Sequence, residues 1–255
     1  MKLTLAQLHQ QLGGAAHLAA AHQLYDQLLR LNPEDTQFYA GFEATLSPPP
    51  ANEEARVQLY QELQKRFPFA HAPRHAPLHF TTGQTFERLL AAYLQRNLRK
   101  GMIPCFELLR SAYAGDSQGR PAIIERVISD YVHNLEASAK FTADATEEEL
   151  PSTLIWAYYF AAQHFNEVAK FQQAMTYADK ALSHTPTLIE LYAIKARILK
   201  NCGNLPEAAH WLNFARDLDT ADRFINSISV KCMLRAGQIE EGEKTASFFT
   251  KVWNG

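Results

Sequence analysis

The stretch LKNCGNLPEAAHWL, residues 199–212, has a counterpart further along the chain in LRAGQIEEGEKTAS, residues 234–247. At an interval of 34 residues, Gly203 meets Gly237 and Ala208 meets Gly242. Self-similarity at a fixed interval of roughly 20 to 50 residues indicates a repeated structural unit. The sequence around residue 200 therefore predicts that this part of the chain is an array of similar units.

The same interval extends toward the N-terminus and defines columns of similar residues. The columns are Ala162, Ala196 and Val230; Phe165, Leu199 and Met233; Ala169, Gly203 and Gly237; Ala174, Ala208 and Gly242; and Ala181 with Ala215. Small residues at helix crossings, a turn glycine in mid-repeat and a proline near the end, here Pro186, form the tetratricopeptide pattern. Because a helical hairpin cannot bury its apolar face alone, such hairpins stack, and we predict a right-handed superhelical solenoid with a concave inner wall.

Apolar residues recur at intervals of three and four along almost the whole chain, and alternating runs rich in Val, Ile and Thr are missing. This pattern predicts an all-α chain. We expect one tetratricopeptide-repeat (TPR) solenoid over residues 1–255, with TPR-like hairpins at 1–69, degenerate helical pairs at 70–150 and three regular repeats at 151–255. The prolines of RFPFAHAPRHAPLHF, residues 66–80, predict an extended crossing inside the middle section.

The composition excludes several classes of partner. The net charge is −2 and 20% of residues are charged, so the chain lacks the global charge that attracts nucleic acid or an anionic membrane, and we expect no direct sequence-specific binding to nucleic acid. No apolar run reaches about 18 residues, which predicts no membrane partner. The three cysteines, Cys105, Cys202 and Cys232, are odd in number and widely spaced, which favours a reducing compartment and a cytoplasmic location.

One short stretch resembles a cofactor loop. Gln10 to Ala15 matches the pattern Gln/Arg-x-x-Gly-x-Gly/Ala with which acetyltransferases hold the pyrophosphate of acetyl-CoA. That loop binds phosphate when it follows a strand and opens a helix, whereas here helical patterns flank it on both sides, so we interpret it as a turn inside the first hairpin. The hydrolase, phosphate-loop and zinc-protease motifs are absent from the sequence. We therefore predict no catalytic residues and no enzymatic activity of its own.

Three histidines are spaced like metal ligands. His71, His75 and His79 lie four residues apart, and on a single helix they would share one face. Pro73 and Pro77 argue against such a helix. We therefore expect a loop with solvated histidines and no metal site.

The first helix of each predicted hairpin lines the concave wall. In repeats that begin at Ile155, Ile189 and Arg223, the inward positions carry polar and aromatic residues that we predict to form a partner-binding groove, and four cations. The groove residues are Trp156, Tyr159, Gln163, Asn166 and Asn201, and the cations are Arg197, Lys200, Lys231 and Arg235. Several charge-assisted bonds to a multivalent phosphate would explain such a cluster, and a solvated basic stripe is the alternative that the spacing leaves open.

A second occupant of the groove is the terminal carboxylate of a peptide. Asn201, Lys231 and Arg235 stand at the spacing of three of the clamp residues in TPR adaptors that bind acidic C-terminal tails of chaperones. The first helix of that clamp carries Lys and then Asn four residues later, whereas this chain has Asn166 and then Lys170. A free-standing adaptor is therefore the alternative function.

The stretch TPTLIELYAIKARILKNCGNLPEAAHWLNFARDLDTADRFINS, residues 185–227, resembles the auxiliary scaffold subunit of the N-terminal acetyltransferase A (NatA) complex. Its block DTADRFIN is the most specific part, and PLHFTTGQTFERLLAAYLQRNLRKG, AIIERVISDYVHNLE and PSTLIWAYYFAAQHF extend the similarity in order. Scaffolds of this family are longer at both ends, so the chain resembles their middle portion and we expect a fragment of a longer scaffold.

The resemblance implies a non-catalytic TPR scaffold that wraps the catalytic acetyltransferase subunit and anchors it at the ribosome. It also implies inositol hexakisphosphate as a structural ligand between the two subunits. In that family basic residues in about this part of the solenoid hold the anion, which agrees with the groove cations. We therefore predict an anion site formed as a group by Lys195, Arg197, Lys200, Arg223, Lys231 and Arg235. For ribosomal RNA, Arg96, Arg99 and Lys100 form the other compact basic group, and cations that stabilise a helix end are the alternative interpretation.

Overall fold

The computed structural model describes residues 1–114 and 119–250, which fold into two compact units. The first comprises residues 1–93, 109–114 and 119–120, and the second comprises residues 94–108 and 121–250. Helices occur throughout these ranges and no strand occurs in them. The all-α, tetratricopeptide-type fold class predicted from the 34-residue interval is therefore confirmed.

The first unit consists of helical hairpins and two very short helices. Its helices are α1 Lys2–Leu12, α2 Ala15–Leu31, α3 Thr36–Ala44, α4 Glu53–Arg66, α5 Ala72–His75, α6 Pro77–Phe80 and the first part of α7 Gly83–Arg99, with a 3-10 turn at Arg110–Tyr113. Gly13 and Gly14 adopt φ of 67° and 77° between α1 and α2, a conformation that glycine adopts without strain. The interpretation of Gln10 to Ala15 as a turn inside the first hairpin is confirmed.

Tyr25 holds three helices of the first unit together. Its side chain is buried, and its hydroxyl donates a hydrogen bond of 3.1 Å to Oε1 of Gln10. A Cβ at Gly41 of α3 would overlap the tyrosine ring, so the absence of a side chain at Gly41 lets α2 and α3 approach closely.

The segment around the three histidines is helical, and the predicted extended crossing is wrong. Pro73 and Pro77 stand in the first turns of α5 and α6, where a missing N–H removes no intrahelical hydrogen bond. His75 is buried, and its ring is in edge-on contact with that of His79 at 4.4 Å. The predicted loop with solvated histidines is also wrong, because this segment is helical and His75 is buried. Among residues 1–114 and 119–250 no group of three or more His, Cys, Asp or Glu could hold a metal ion.

The second unit contains the regular hairpins. Its helices are the last part of α7, α8 Cys105–Leu109, α9 Arg120–Ser138, α10 Pro151–Glu167, α11 Phe171–His184, α12 Ile189–Asn201, α13 Leu205–Leu218, α14 Arg223–Arg235 and α15 Ile239–Ser247. Helices α11, α13 and α15 begin at intervals of 34 residues, and so do α12 and α14. Helix α10 begins earlier than the predicted Ile155 because Pro151 opens its first turn.

The predicted columns occupy the positions that a stack of hairpins requires. Ala169, Gly203 and Gly237 adopt positive φ of 58°, 93° and 77° at the three turns. The crossing residues Ala174 and Ala208 are fully buried, so the two helices of each hairpin meet without an intervening side chain. Hairpin then packs on hairpin as α11 contacts α12 and α13 contacts α14. This stacking places α10, α12 and α14, the first helices of their hairpins, beside the groove described next.

Candidate functional site

A groove of about 770 Å³ lies within the second unit. It is lined mainly by residues of α10, α12 and α14, and also by the segment that leads into α8, where Ile103 and Pro104 contribute. Two apolar side chains in the groove are solvent-exposed, Phe224 at 66% and Ile103 at 40%. The groove is therefore an open, partly apolar surface built by consecutive repeats.

Four of the six predicted anion-binding cations line this groove: Arg197, Lys200, Lys231 and Arg235. Arg197 and Lys231 occupy the same position in successive repeats, since they are separated by the 34-residue interval. Burial raises the pKa of the Cys232 thiol, and the positive charges of Lys200 and Arg235 oppose that rise. The groove thus carries cations from both α12 and α14.

The other two predicted cations do not line the groove. Nζ of Lys195 lies 2.8 Å from a carboxylate oxygen of Asp179 and 4.3 Å from the ring centre of Trp211. Since Lys195 and Arg197 are two residues apart on one helix, they point in different directions, about 200° apart around the axis. The guanidinium of Arg223 lies over the ring of Phe249, 5.6 Å from its centre. Lys195 and Arg223 are thus engaged outside the groove.

Carboxylates also line the groove, although the repeat pattern does not indicate them. Glu190, Asp219 and Asp222 lie near the starts of α12 and α14, and Glu107 comes from α8. Asp222 caps α14 by accepting hydrogen bonds from the backbone N–H of Phe224 and Ile225. The groove is therefore acidic where these helices begin and basic toward their ends, a charge order that also complements the helix dipoles.

Arg197 and Glu107 form an ion pair across the groove. Nη1 of Arg197 lies 3.1 Å from Oε1 of Glu107, and the two residues are 90 positions apart in the chain. Lys200, Lys231 and Arg235 form no ion pair within residues 1–114 and 119–250. Of the four groove cations, three have no ion pair within these residues and Arg197 is engaged by an internal carboxylate.

Two of the predicted partner-binding residues, Tyr159 and Gln163, line the groove. Burial raises the pKa of Tyr159 to about 12, with Arg197 opposing the rise and Glu190 and Glu107 adding to it. The phenol is therefore a neutral hydrogen-bonding group at pH 7. Gln163 is 4% exposed, and its Oε1 is buried without a hydrogen-bond partner in the described part of the chain.

Trp156, Asn166 and Asn201 are used inside the fold. Trp156 makes an edge-on contact with Tyr159 at 5.8 Å between ring centres. Nδ2 of Asn201 donates a hydrogen bond of 3.0 Å to Oδ1 of Asn166, and Asn166 is buried. The Asn201 amide thus joins α10 to α12 and is not free to bind a peptide carboxylate. Of the three predicted clamp residues, only Lys231 and Arg235 are without such an internal hydrogen bond in the part of the chain that the structure describes.

The predicted basic group at the end of α7 is partly neutralised. Arg99 donates from Nε and Nη2 to the carboxylate of Glu149, with the shortest distance at 2.5 Å. A guanidinium whose Nε and Nη2 are both bonded to a carboxylate is less available for RNA phosphate. Within the ranges that the structure describes, Arg96 and Lys100 show no such pairing.

Two further properties of the described residues bear on function. Burial raises the pKa of the Cys105 thiol to about 12, so this cysteine stays protonated at neutral pH and is not a nucleophile. None of the described helices combines the length and the apolar character needed to cross a membrane.

Known proteins are similar to this chain in sequence and in fold. The family model described as "N-terminal acetyltransferase A, auxiliary subunit" matches residues 1–254. The mouse (Mus musculus) protein "N-alpha-acetyltransferase 16, NatA auxiliary subunit" is 40% identical over 235 residues, which is 92% of this chain and 27% of that protein. The Arabidopsis thaliana protein "N-terminal acetyltransferase A complex auxiliary subunit NAA15" is 35% identical over 247 residues, which is 94% of this chain and again 27% of that protein. The chain thus spans about a quarter of these curated relatives.

A solved complex of Naa15 and Naa10 bound to HypK-THB contains a chain that superimposes with a TM-score of 0.82 at 29% identity. The match covers 94% of this chain and 36% of that one. The similarity therefore extends from the sequence to the arrangement of helices.

Proposed function

The chain belongs to the family of NatA auxiliary subunits, and we propose that it is a scaffold region that binds the catalytic acetyltransferase subunit. The observation that carries this proposal is the similarity of nearly the whole chain to an auxiliary subunit solved together with Naa10. In this role the chain holds and shapes a catalytic partner and performs no chemistry itself, in keeping with relatives that are named as auxiliary subunits. The resulting complex would acetylate nascent proteins in the cytoplasm, positioned at the ribosome.

The groove supplies a surface suited to such a partner. Phe224 and Ile103 offer apolar contact area, while charged residues of both signs surround them. Interfaces between proteins combine a buried apolar centre with a polar rim in this way. We assign the partner-binding role to Tyr159 and Gln163, which line the groove, and regard Trp156, Asn166 and Asn201 as residues that hold its wall in place.

We further propose that the basic end of the groove binds inositol hexakisphosphate as a structural ligand. Lys200, Lys231 and Arg235 would each donate to phosphate oxygens, and Arg197 would join them. Several cations on one surface repel each other, and a bound polyphosphate relieves that repulsion through charge-assisted hydrogen bonds. No catalytic cofactor is part of this proposal.

Coexpression tests the scaffold role. We expect a tagged form of this chain to co-purify with the catalytic acetyltransferase subunit of the same organism, and inositol hexakisphosphate to raise the melting temperature of the chain because ligands that bind the folded state stabilise it. Failure to co-purify would overturn the scaffold role. The absence of a thermal shift at millimolar ligand would overturn the anion site.

The chaperone-tail adaptor is the less favoured function, since Asn201 is hydrogen-bonded to Asn166. Two results together would favour it instead. The chain would bind an acidic C-terminal peptide and lose that binding in Lys231→Ala, and polyphosphate would not bind to the chain.

A further inference from the structure

One of the four groove cations already has an anionic partner. Arg197 and Glu107 are paired at 3.1 Å, and their side chains are 41% and 42% exposed. The pair is therefore open to solvent. Glu107 also has a further interaction within the fold.

A polyphosphate would use the guanidinium of Arg197, one nitrogen of which, Nη1, now contacts Glu107. A guanidinium presents the same planar fork of N–H groups to a carboxylate and to a phosphate. The two anions therefore compete for Arg197. Ion pairs between half-exposed side chains contribute little to stability, because water screens them, so a ligand of high charge density can displace the carboxylate.

For this displacement the side chain of Glu107 has to turn away from Arg197 while α8 stays in place. Its neighbours Cys105, Phe106 and Leu109 are all buried, and the ring of Phe106 packs against Phe160 of α10 at 5.7 Å. These contacts hold α8 in place whether or not Glu107 is paired. A substitution at Glu107 should consequently leave the backbone of the groove unchanged.

We propose that Glu107 is an internal competitor for Arg197 that lowers the affinity of the groove for polyphosphate. This inference rests on the proposed anion site. In the unliganded molecule Glu107 neutralises Arg197, and a bound polyphosphate displaces it from that cation. The glutamate thereby sets how much ligand is needed to fill the site.

Calorimetric titration of inositol hexakisphosphate into Glu107→Gln tests the inference. Glutamine keeps the size of the side chain and removes its charge, so Arg197 is released and we expect the affinity to rise about three- to tenfold at low salt. Glu190→Gln is the matched control, because Glu190 lines the same groove and forms no ion pair within the described residues. It removes the same charge without releasing a cation, and we expect a gain below about twofold.

The same substitution in a chain that lacks Arg197 tests whether the gain depends on the ion pair. In Arg197→Ala, the Glu107→Gln substitution has no cation to release, so its gain should vanish. Thermal unfolding of each variant verifies that the fold is intact.

The outcomes separate this inference from the anion site on which it rests. Equal affinities of the wild type and Glu107→Gln, or equal gains from both glutamines, would overturn the role of Glu107 and leave the anion site standing. A gain that persists in Arg197→Ala would do the same. If the ligand binds to none of the proteins, the anion site itself is overturned, and the role of Glu107 with it.

Discussion

Gly101 lies directly against the indole of Trp156: a Cβ at position 101 would be 2.6 Å from Nε1 of that ring. Gly101 follows the end of α7 with a left-handed φ of 63°, and Met102 N–H donates back to the carbonyl of Asn97. The end of α7 and the start of the hairpin array are thus joined at a point where no side chain fits.

Gly101→Ala should therefore be strongly destabilising. An L-residue in the left-handed region costs about 1 to 2 kcal/mol, and displacement of the Trp156 ring adds a steric cost, so we expect a loss of about 2 to 4 kcal/mol in the free energy of unfolding. Urea denaturation measures it. The control is Gly203→Ala, where φ is 93° but no described atom lies within 4 Å of the added Cβ, so that only the backbone cost of about 1 to 2 kcal/mol remains. Equal losses in the two variants would contradict the role of Trp156.

Ala208→Leu tests the crossing of helices within a hairpin. Ala208 is fully buried in a cluster with Ala196, Leu212 and Met233, so a larger side chain forces α13 away from its neighbours. We expect a loss of about 2 to 3 kcal/mol in the free energy of unfolding. His210→Leu on the exposed side of the same helix should change it by less than about 0.5 kcal/mol. A tolerated leucine at position 208 would show that the helices do not meet there.

Stability should fall in mildly acidic solution because of His164. This residue is buried in α10, and burial lowers its pKa although a hydrogen bond with Glu125 opposes the shift. In the unfolded chain this histidine has an ordinary pKa of about 6.5 and binds a proton more readily than in the folded chain. The contribution of His164 is therefore complete above about pH 6.5 and is lost as the pH falls below it, with a slope of at most about 1.4 kcal/mol per pH unit.

The measurement is the free energy of unfolding as a function of pH for the wild type and His164→Gln. The variant should be less stable than the wild type at neutral pH, and the difference should shrink as the solution is acidified. Parallel curves would show that His164 does not titrate differently in the folded and unfolded states.

Binding of inositol hexakisphosphate should depend on which cations line the groove. Lys231→Ala or Arg235→Ala removes a charge-assisted contact and should weaken binding by about tenfold, a loss of about 1.4 kcal/mol. Lys195→Ala and Arg223→Ala remove the same charge outside the groove and should leave the affinity within about twofold. Calorimetry distinguishes the two pairs. A comparable loss in all four variants would favour a diffuse electrostatic field over a defined site.

The regular hairpins could be predicted because their signal is local and repeated. Ala169, Gly203 and Gly237 recur at the interval at which the structure forms its turns, and Ala174 and Ala208 recur where helices cross. The short helices α5 and α6 were missed because a proline is compatible with the first turn of a helix as well as with a break. Spacing alone does not separate the two cases.

The groove could be predicted only in part. Arg197 and Lys231 share a position in the repeat, so periodicity placed both on the inner wall. Glu107 lies in α8, outside the 34-residue register and 90 residues from its partner, and nothing in the repeat points to it. Lys195 joined the predicted anion site through the family resemblance. Its side chain points away from the groove and pairs with Asp179.

The shared position of Arg197 and Lys231 in successive hairpins has a mechanical consequence. Their separation is set by the distance between stacked helices, and each hairpin of such an array is supported only by its neighbours. A tensile load along these repeats would draw the two charges apart. A ligand bridging them would act as a brace, making this part of the molecule stiffer when occupied and elastic when empty.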